Sequence, residues 1–250
     1  FLKLANSNES PILPEKIVHT LNKLLPKDAV VCADPGTPCP YFSAYFMSDI
    51  PGRHFITNRA HGALGFAMSA AIGAAVGRPQ SKCVAVMGDG SFGFTVGELE
   101  TITRYKLPVL MIVISNSVYG WIKASQKSGY DQRYFSVDFN RTNHAKVAEA
   151  YGVRSWTVDD PLKLEAALKA AIECGEPALV DIISQPLQDA AAPVSQGGPA
   201  GLRVRHGVGI VCCSVADRLP WCQAGDVRQG VRQAVGGERD ERSQVRGVGR

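Results

Sequence analysis

Six short runs of apolar, mostly β-branched residues recur along the chain, separated by longer stretches with the periodicity of helices. They are 29–33 (AVVCA), 54–57 (HFIT), 82–87 (KCVAVM), 109–115 (VLMIVIS), 153–158 (VRSWTV) and 178–183 (ALVDII). The runs at 29–33, 82–87, 109–115 and 178–183 do not alternate apolar with polar residues, so each must be covered on both faces. That excludes a sheet with one wet face and leaves a parallel sheet with helices above and below. Between the runs, Pro14 opens a helix in which Ile17, Leu21, Leu24 and Leu25 follow the helical period. Further helices are predicted over 41–47, 62–76, 95–105, 144–151 and 161–174. The stretch 62–76 is rich in Ala and Gly and must pack very closely against its neighbours. Strand and helix alternate from Pro11 to Pro186, which predicts an α/β fold: a doubly wound parallel sheet with helices on both faces.

Length and composition narrow the function. With 250 residues the chain holds one large domain or two small ones, and at 45% hydrophobic and 20% charged it has the make-up of a soluble globular protein. The longest apolar run, 107–114, is broken by Pro108 and falls well short of the ~20 residues that span a bilayer. No membrane partner is expected, and FLKLANSNES lacks the basic region and long apolar stretch of a secretory leader. Because Phe1 rather than Met opens the chain, its true amino terminus is expected to be missing. The net charge of +4 lies wholly beyond Gln196: residues 1–196 hold 11 Lys and 7 Arg against 18 acidic residues, and the rest hold 9 Arg, no Lys and 5 acidic residues. Nucleic-acid binding calls for a basic face with aromatics to stack bases, and residues 1–196 carry none, so no nucleic-acid partner is expected. The seven cysteines, Cys32, Cys39, Cys83, Cys174, Cys212, Cys213 and Cys222, form no CxxC pair and no metal-ligand spacing. They predict reduced, mostly buried thiols in a cytoplasmic protein.

From Gly197 onward the strand–helix pattern stops. This stretch carries 11 Gly, 9 Val and 9 Arg, and its apolar residues keep neither a strand nor a helix period. The expected organisation is a folded domain over 1–190 and an irregular, disordered tail over 191–250. The tail reads as an out-of-frame or otherwise unselected extension, with a basic interaction arm as the functional alternative.

In a doubly wound sheet, ligands bind at the carboxyl ends of strands, where Gly-rich turns let backbone amides approach a phosphate. Three strand ends carry unusual residues: 34–37 (DPGT), 88–91 (GDGS) and 115–120 (SNSVYG). The second is not the GxGxxG of a dinucleotide site, because GDGSFGF places an acidic residue at its centre. A carboxylate aimed at a diphosphate repels it unless a cation lies between them, which points to Mg²⁺ held by carboxylate, amide and phosphate oxygens. Asn116 follows Asp89 by 27 positions, the length of one helix and one strand, so the two residues return to the same edge of the sheet one strand apart. Asp89 and Asn116 can then give two oxygens to one metal.

GDGS at 88–91, with an Asn 27 positions past its Asp in the context ISNSVYG, resembles the diphosphate-binding motif of thiamine diphosphate (ThDP) enzymes. The segment HGALGFAMSAAIGAAVGRP is similar to the family's lead into the preceding helix. The resemblance covers about residues 10–190 and is closest to the carboxyl-terminal, diphosphate-binding domain of acetolactate synthase large subunits and similar 2-oxo acid decarboxylases and carboligases. It implies the ThDP-binding fold, ThDP and Mg²⁺ as cofactors, and a 2-oxo acid as substrate. By that resemblance Asp89, the side chain of Asn116 and the backbone carbonyl of Val118 would hold Mg²⁺. Gly88, Gly90 and Ser91 would face the diphosphate, through the Gly90 and Ser91 amides and the Ser91 hydroxyl. The Gly62 carbonyl would receive the aminopyrimidine, and Leu64 would lie beneath the cofactor and force its rings into a bent V. Gly36 and Thr37 occupy the loop where acetolactate synthases tend to show Gly-Gln-His, and Tyr119, Gly120 and Trp121 would line the cofactor. Thr37-Pro38 departs from that pattern, as does Ser115 in place of the usual first Asn of the pair.

Catalysis itself is assigned to no residue beyond the candidate His61, which lies in a Gly-flanked loop and could transfer protons. Glu98 reads as a structural residue. In this family the acid that protonates the pyrimidine ring is a Glu on a separate pyrimidine-binding domain, usually of a neighbouring subunit. The resemblance therefore implies a pyrimidine-binding domain or subunit as partner and a homo-oligomer in the full-length protein. The chain is expected to be a fragment of a longer polypeptide, or else a β-type subunit of a two-chain enzyme. An inert ThDP-binding or scaffold module is the alternative outside enzymology.

Overall fold

Branched side chains restrict χ1 and suit the pleated strand, and the apolar runs form β1 (Val30–Ala33), β2 (Phe55–Thr57), β3 (Cys83–Gly88), β4 (Leu110–Ser115), β5 (Arg154–Val158) and β6 (Ala178–Ile183). Each lies within one residue of its expected ends. The computed structural model describes residues 1–58, 61–186 and 189. Among them the six strands make one sheet in the order β2-β1-β3-β4-β6-β5, and every neighbouring pair is parallel. The helices are α1 (Leu2–Ala5), α2 (Pro14–Leu24), α3 (Pro38–Tyr45), α4 (Phe66–Gly77), α5 (Asp89–Thr95), α6 (Glu98–Arg104), α7 (Gly120–Gly129), α8 (His144–Ala150) and α9 (Leu164–Glu173).

Successive residues of a strand point to opposite faces, so each strand feeds two cores. Val31, Val84, Val86, Leu110, Ile112 and Val180 pack under Ile17 and Leu21 of α2, Phe42 of α3 and Leu168 of α9. On the other face Cys32, Ala85, Met87, Met111, Val113 and Leu179 pack against Ala67, Met68 and Ala71 of α4, Leu99 and Ile102 of α6, and Ala148 of α8. Each fully buried Val, Leu, Ile or Met contributes about 1.5–3 kcal/mol. The doubly wound α/β fold is therefore the fold of this chain.

Several helices differ from the sequence-based expectation: α3 begins at Pro38 rather than 41, α6 at Glu98 rather than 95 and α9 at Leu164 rather than 161, and three further differences lie near the site. Helix α4 begins at Phe66 rather than at Gly62, because Gly62 and Gly65 take left-handed φ angles of 63° and 88° that end any helix there. The turn GDGSFGF, whose glycines suggest a loop, winds into α5 and buries Phe92. Helix α7 follows the 116–120 loop directly. Of the cysteines, Cys32, Cys39 and Cys83 are buried and Cys174 is half-buried, and none of these four is in a disulfide. Cys212, Cys213 and Cys222 lie outside the described residues, as does the expected tail over 191–250. No helix among the described residues is long and apolar enough to cross a membrane.

Candidate functional site

The chain passes from β1 to β2 on one side and then returns to β3 on the other side of β1. A crevice opens where such a reversal occurs, at the carboxyl ends of β1 and β3. Residues 34–37 follow β1, residues 88–91 follow from β3, and 116–120 follow β4, the next strand over.

Asp34 follows β1 directly and is fully buried. Its Oδ2 accepts the Gly65 backbone N–H at 3.2 Å and its Oδ1 accepts that of Ala67 at 2.9 Å, and it is hydrogen-bonded to the side chain of Ser91. Burial pushes this carboxyl up to about 6, although the hydrogen bonds pull the other way. Asp34 caps α4 from a distance of about thirty residues and ties it to the 88–91 turn. Sequence reasoning does not anticipate this role. The signal for it is the absence of Ser, Thr, Asp and Asn from 62–66, which leaves the start of α4 with no local acceptor.

Asp89 opens α5. Its Oδ2 accepts the backbone N–H groups of Asn116 (2.8 Å) and Ser117 (2.6 Å), and its Oδ1 accepts that of Gly90 (2.9 Å). The 27-residue spacing thus returns the chain to the adjacent strand, where Gly88 of β3 stands beside Ile114 of β4. Burial raises the Asp89 carboxyl, against the pull of the three amides and of nearby His144. Beyond Asn116, Ser117 takes a left-handed φ of 58° and turns the loop onto residues 137–139. The Tyr119 N–H reaches the Val137 carbonyl at 2.9 Å, and the Phe139 N–H reaches that of Ser117 at 3.1 Å, about a Val118–Asp138 bridge. Alternation along that bridge turns the Val118 carbonyl away from 137–139.

One cavity brings together Gly36, Thr37 and half-buried Leu64 with Gly88, Asp89, Gly90 and Ser91, and with Val118, Tyr119, Gly120 and Trp121. Position 90 requires glycine, because a Cβ there would stand 2.5 Å from the Tyr119 ring. Other predicted residues lie outside this lining. His61 and Gly62 are exposed. Asn116 borders a separate cavity with Arg141 and Ser184, and its Nδ2 is buried without a hydrogen-bond partner. Among the described residues no three His, Cys, Asp or Glu side chains cluster as a metal site, so a cation here would depend on amide, carbonyl and ligand oxygens beside Asp89.

A doubly wound parallel sheet with its loops gathered at the switch point is the architecture of a nucleotide- or cofactor-binding α/β domain. Residues 34–182 match the family described as thiamine pyrophosphate enzyme, C-terminal TPP binding domain, and the chain belongs to that family. It is 34% identical over 185 residues to a probable acetolactate synthase large subunit of Methanococcus aeolicus, which covers 72% of this chain and 31% of the relative. It is 32% identical over 169 residues to the acetolactate synthase isozyme 3 large subunit of Escherichia coli, 67% of this chain and 29% of the relative. It is also 32% identical over 162 residues to a probable sulfoacetaldehyde acetyltransferase of Rhizobium meliloti, 64% of this chain and 27% of the relative. The chain spans about a third of the length of the relatives it matches.

Proposed function

We propose that this chain is the diphosphate- and Mg²⁺-binding part of a 2-oxo acid decarboxylase or carboligase of the acetolactate synthase type. The observation that carries the reading is the junction of Asp89 with the Asn116–Val118 loop at the switch point. The residues fit the cation: Asp89 offers a carboxylate, Asn116 has a side-chain amide oxygen to give, and Val118 has a carbonyl turned from its bridge. This is the oxygen-rich donor set a hard ion takes. Gly88, Gly90 and Ser91 would face the diphosphate, Leu64, Gly36, Thr37, Tyr119 and Gly120 would border the rings, and Gly62 would meet the aminopyrimidine. When bound, ThDP supplies the electron sink for decarboxylation. The chain's own residues anchor it, orient it and keep water from it, and exposed His61 is assigned no step.

In this reading residues 1–190 form the binding domain and residues 191–250 have no role in it. The full protein works in the cytoplasm as a homo-oligomer, and the acid opposite the pyrimidine ring comes from a pyrimidine-binding domain. Trp121 and Phe135 are 40% and 82% exposed and belong to an apolar surface such a domain would cover. Calorimetric titration with ThDP, with Mg²⁺ and with a chelator, tests the reading in the presence of a matched pyrimidine-binding domain. Cation-dependent binding supports it, cation-independent binding removes the metal, and no binding overturns it.

A further inference from the structure

Ser115 departs from the ThDP pattern, and its surroundings give the serine a task. It ends β4, immediately before Asn116, and its hydroxyl donates to Asp181 Oδ1 at 2.7 Å on the adjacent strand β6. A hydroxyl has one proton to give, so the same oxygen accepts from His144 Nδ1, 2.9 Å away, and that Nδ1 also lies 3.3 Å from Asp181 Oδ1. Asp181 Oδ2 accepts the backbone N–H of His144, the first residue of α8, at 3.0 Å. Asp181, Ser115 and His144 are 0%, 4% and 6% exposed, and a carboxylate so deep persists only when its oxygens are satisfied. The three residues do not form a nucleophilic triad. Ser115 gives its proton to the carboxylate and receives one from the imidazole, so His144 cannot act as its base.

The imidazole also stands edge-on to Phe92, with ring centroids 5.3 Å apart and planes at 84°. Phe92 lies on α5, which begins with Asp89 and carries Gly90 and Ser91. His144 therefore touches the diphosphate turn directly and the end of β4 through Ser115. These are the two segments whose spacing lets Asp89 accept from both Asn116 and Ser117.

We propose that His144, aligned by Asp181 and Ser115, is a positioning residue for the cation and diphosphate site, fixing the start of α5 against the end of β4. The inference rests on the reading of that site given above. Partners that orient ligand-bearing groups from behind hold them at the separation a bound ion requires, and their loss commonly weakens binding by about tenfold or more.

The test is calorimetric titration of the full chain with ThDP at saturating Mg²⁺ in the presence of a matched pyrimidine-binding domain, with thermal melts alongside, for wild type, Ser115→Ala, His144→Phe and His144→Asn. Ser115→Ala and His144→Phe should each weaken binding about tenfold, whereas His144→Asn, which keeps a donor near the place of Nδ1, should stay within about threefold of wild type. A purely space-filling histidine gives the opposite order: Phe, which keeps the ring against Phe92, would bind like wild type and Asn would not. That order overturns the proposal, as does unchanged affinity in every variant. Should His144→Phe fail to fold, Ser115→Ala decides alone, since it deletes one hydroxyl, and wild-type affinity in it overturns the proposal. A wild-type chain that binds no ThDP beside that domain overturns the proposed function and this inference with it, whereas binding in wild type and equally in the variants overturns the positioning role alone.

Discussion

Asp89 Oδ2 lies 2.8 Å from the backbone nitrogen of Asn116, 27 positions further along the chain. The contact lies within no single turn or helix, since α5, α6 and β4 separate the two residues along the chain. The contact arises because β3 and β4 are neighbours in register, so a turn at the end of one meets the loop at the end of the other. A buried carboxylate that accepts three main-chain amides is fixed in place, which is the property a cation site needs.

Removing that carboxylate should separate binding from folding. Asp89→Ala is expected to abolish the Mg²⁺-dependent part of ThDP binding. It strips three amides of their acceptor, at a cost of about 1–3 kcal/mol, so the melting temperature should fall while unfolding stays cooperative. Calorimetry that finds ThDP affinity unchanged in this variant would remove Asp89 from the site.

Asp34 makes stability depend on pH with a definite sign. Burial raises its carboxyl from 3.8 to about 6, so the folded chain holds this proton more tightly than the unfolded one. The stabilisation is therefore complete below the unfolded value and is lost as pH rises through about 6. Relative to Asp34→Asn, which does not titrate, wild type should lose up to about 3 kcal/mol between about pH 4 and about pH 7. Denaturant unfolding of both proteins at the two pH values measures the difference, and a gap that stays constant or grows in favour of wild type contradicts it.

Truncation after Gln196 should leave the fold as stable as the full chain. All six strands and both core clusters lie between Ile12 and Ile183. The melting temperature of the shortened chain is expected to be unchanged or higher. A fall of more than about 4 °C, equivalent to roughly 1 kcal/mol or more for a chain of this size, would show that residues beyond 196 pack on the domain.

The division of labour between domains predicts inactivity alone. The chain should bind ThDP weakly, self-associate through the surface around Leu64 and Trp121, and release no CO₂ from 2-oxo acids above the rate of free ThDP with Mg²⁺. Adding a matched pyrimidine-binding domain should restore both tight binding and turnover. Steady-state decarboxylation of pyruvate by the purified chain alone, well above the free cofactor, would mean that a residue of this chain replaces the missing acid.

Periodicity and turn chemistry are local properties, and what depends on them is legible in the order of the residues. Apolar runs that must be covered on both faces require a parallel sheet, and the six strands lie within a residue of where those runs begin and end. The 27-residue spacing anticipates the meeting of the Asp89 and Asn116 segments at the ends of adjacent strands, although the stretch holds two short helices, α5 and α6, before β4 rather than the single helix expected. Helix α5 is not legible in this way, since three glycines within six residues read as a loop until Phe92 finds a core to enter.

Local pattern alone was thus enough to set the class of fold, the covering of both sheet faces and the pairing of the GDGS turn with the Asn116 loop. It took the assembled sheet to make Asp34 the cap of α4 and to bring Ser115, His144 and Asp181 together behind the site. The difference comes from strand order. Strand β6 inserts between β4 and β5, an arrangement that no local pattern encodes, and it is this insertion that carries Asp181 across 66 positions to the hydroxyl of Ser115.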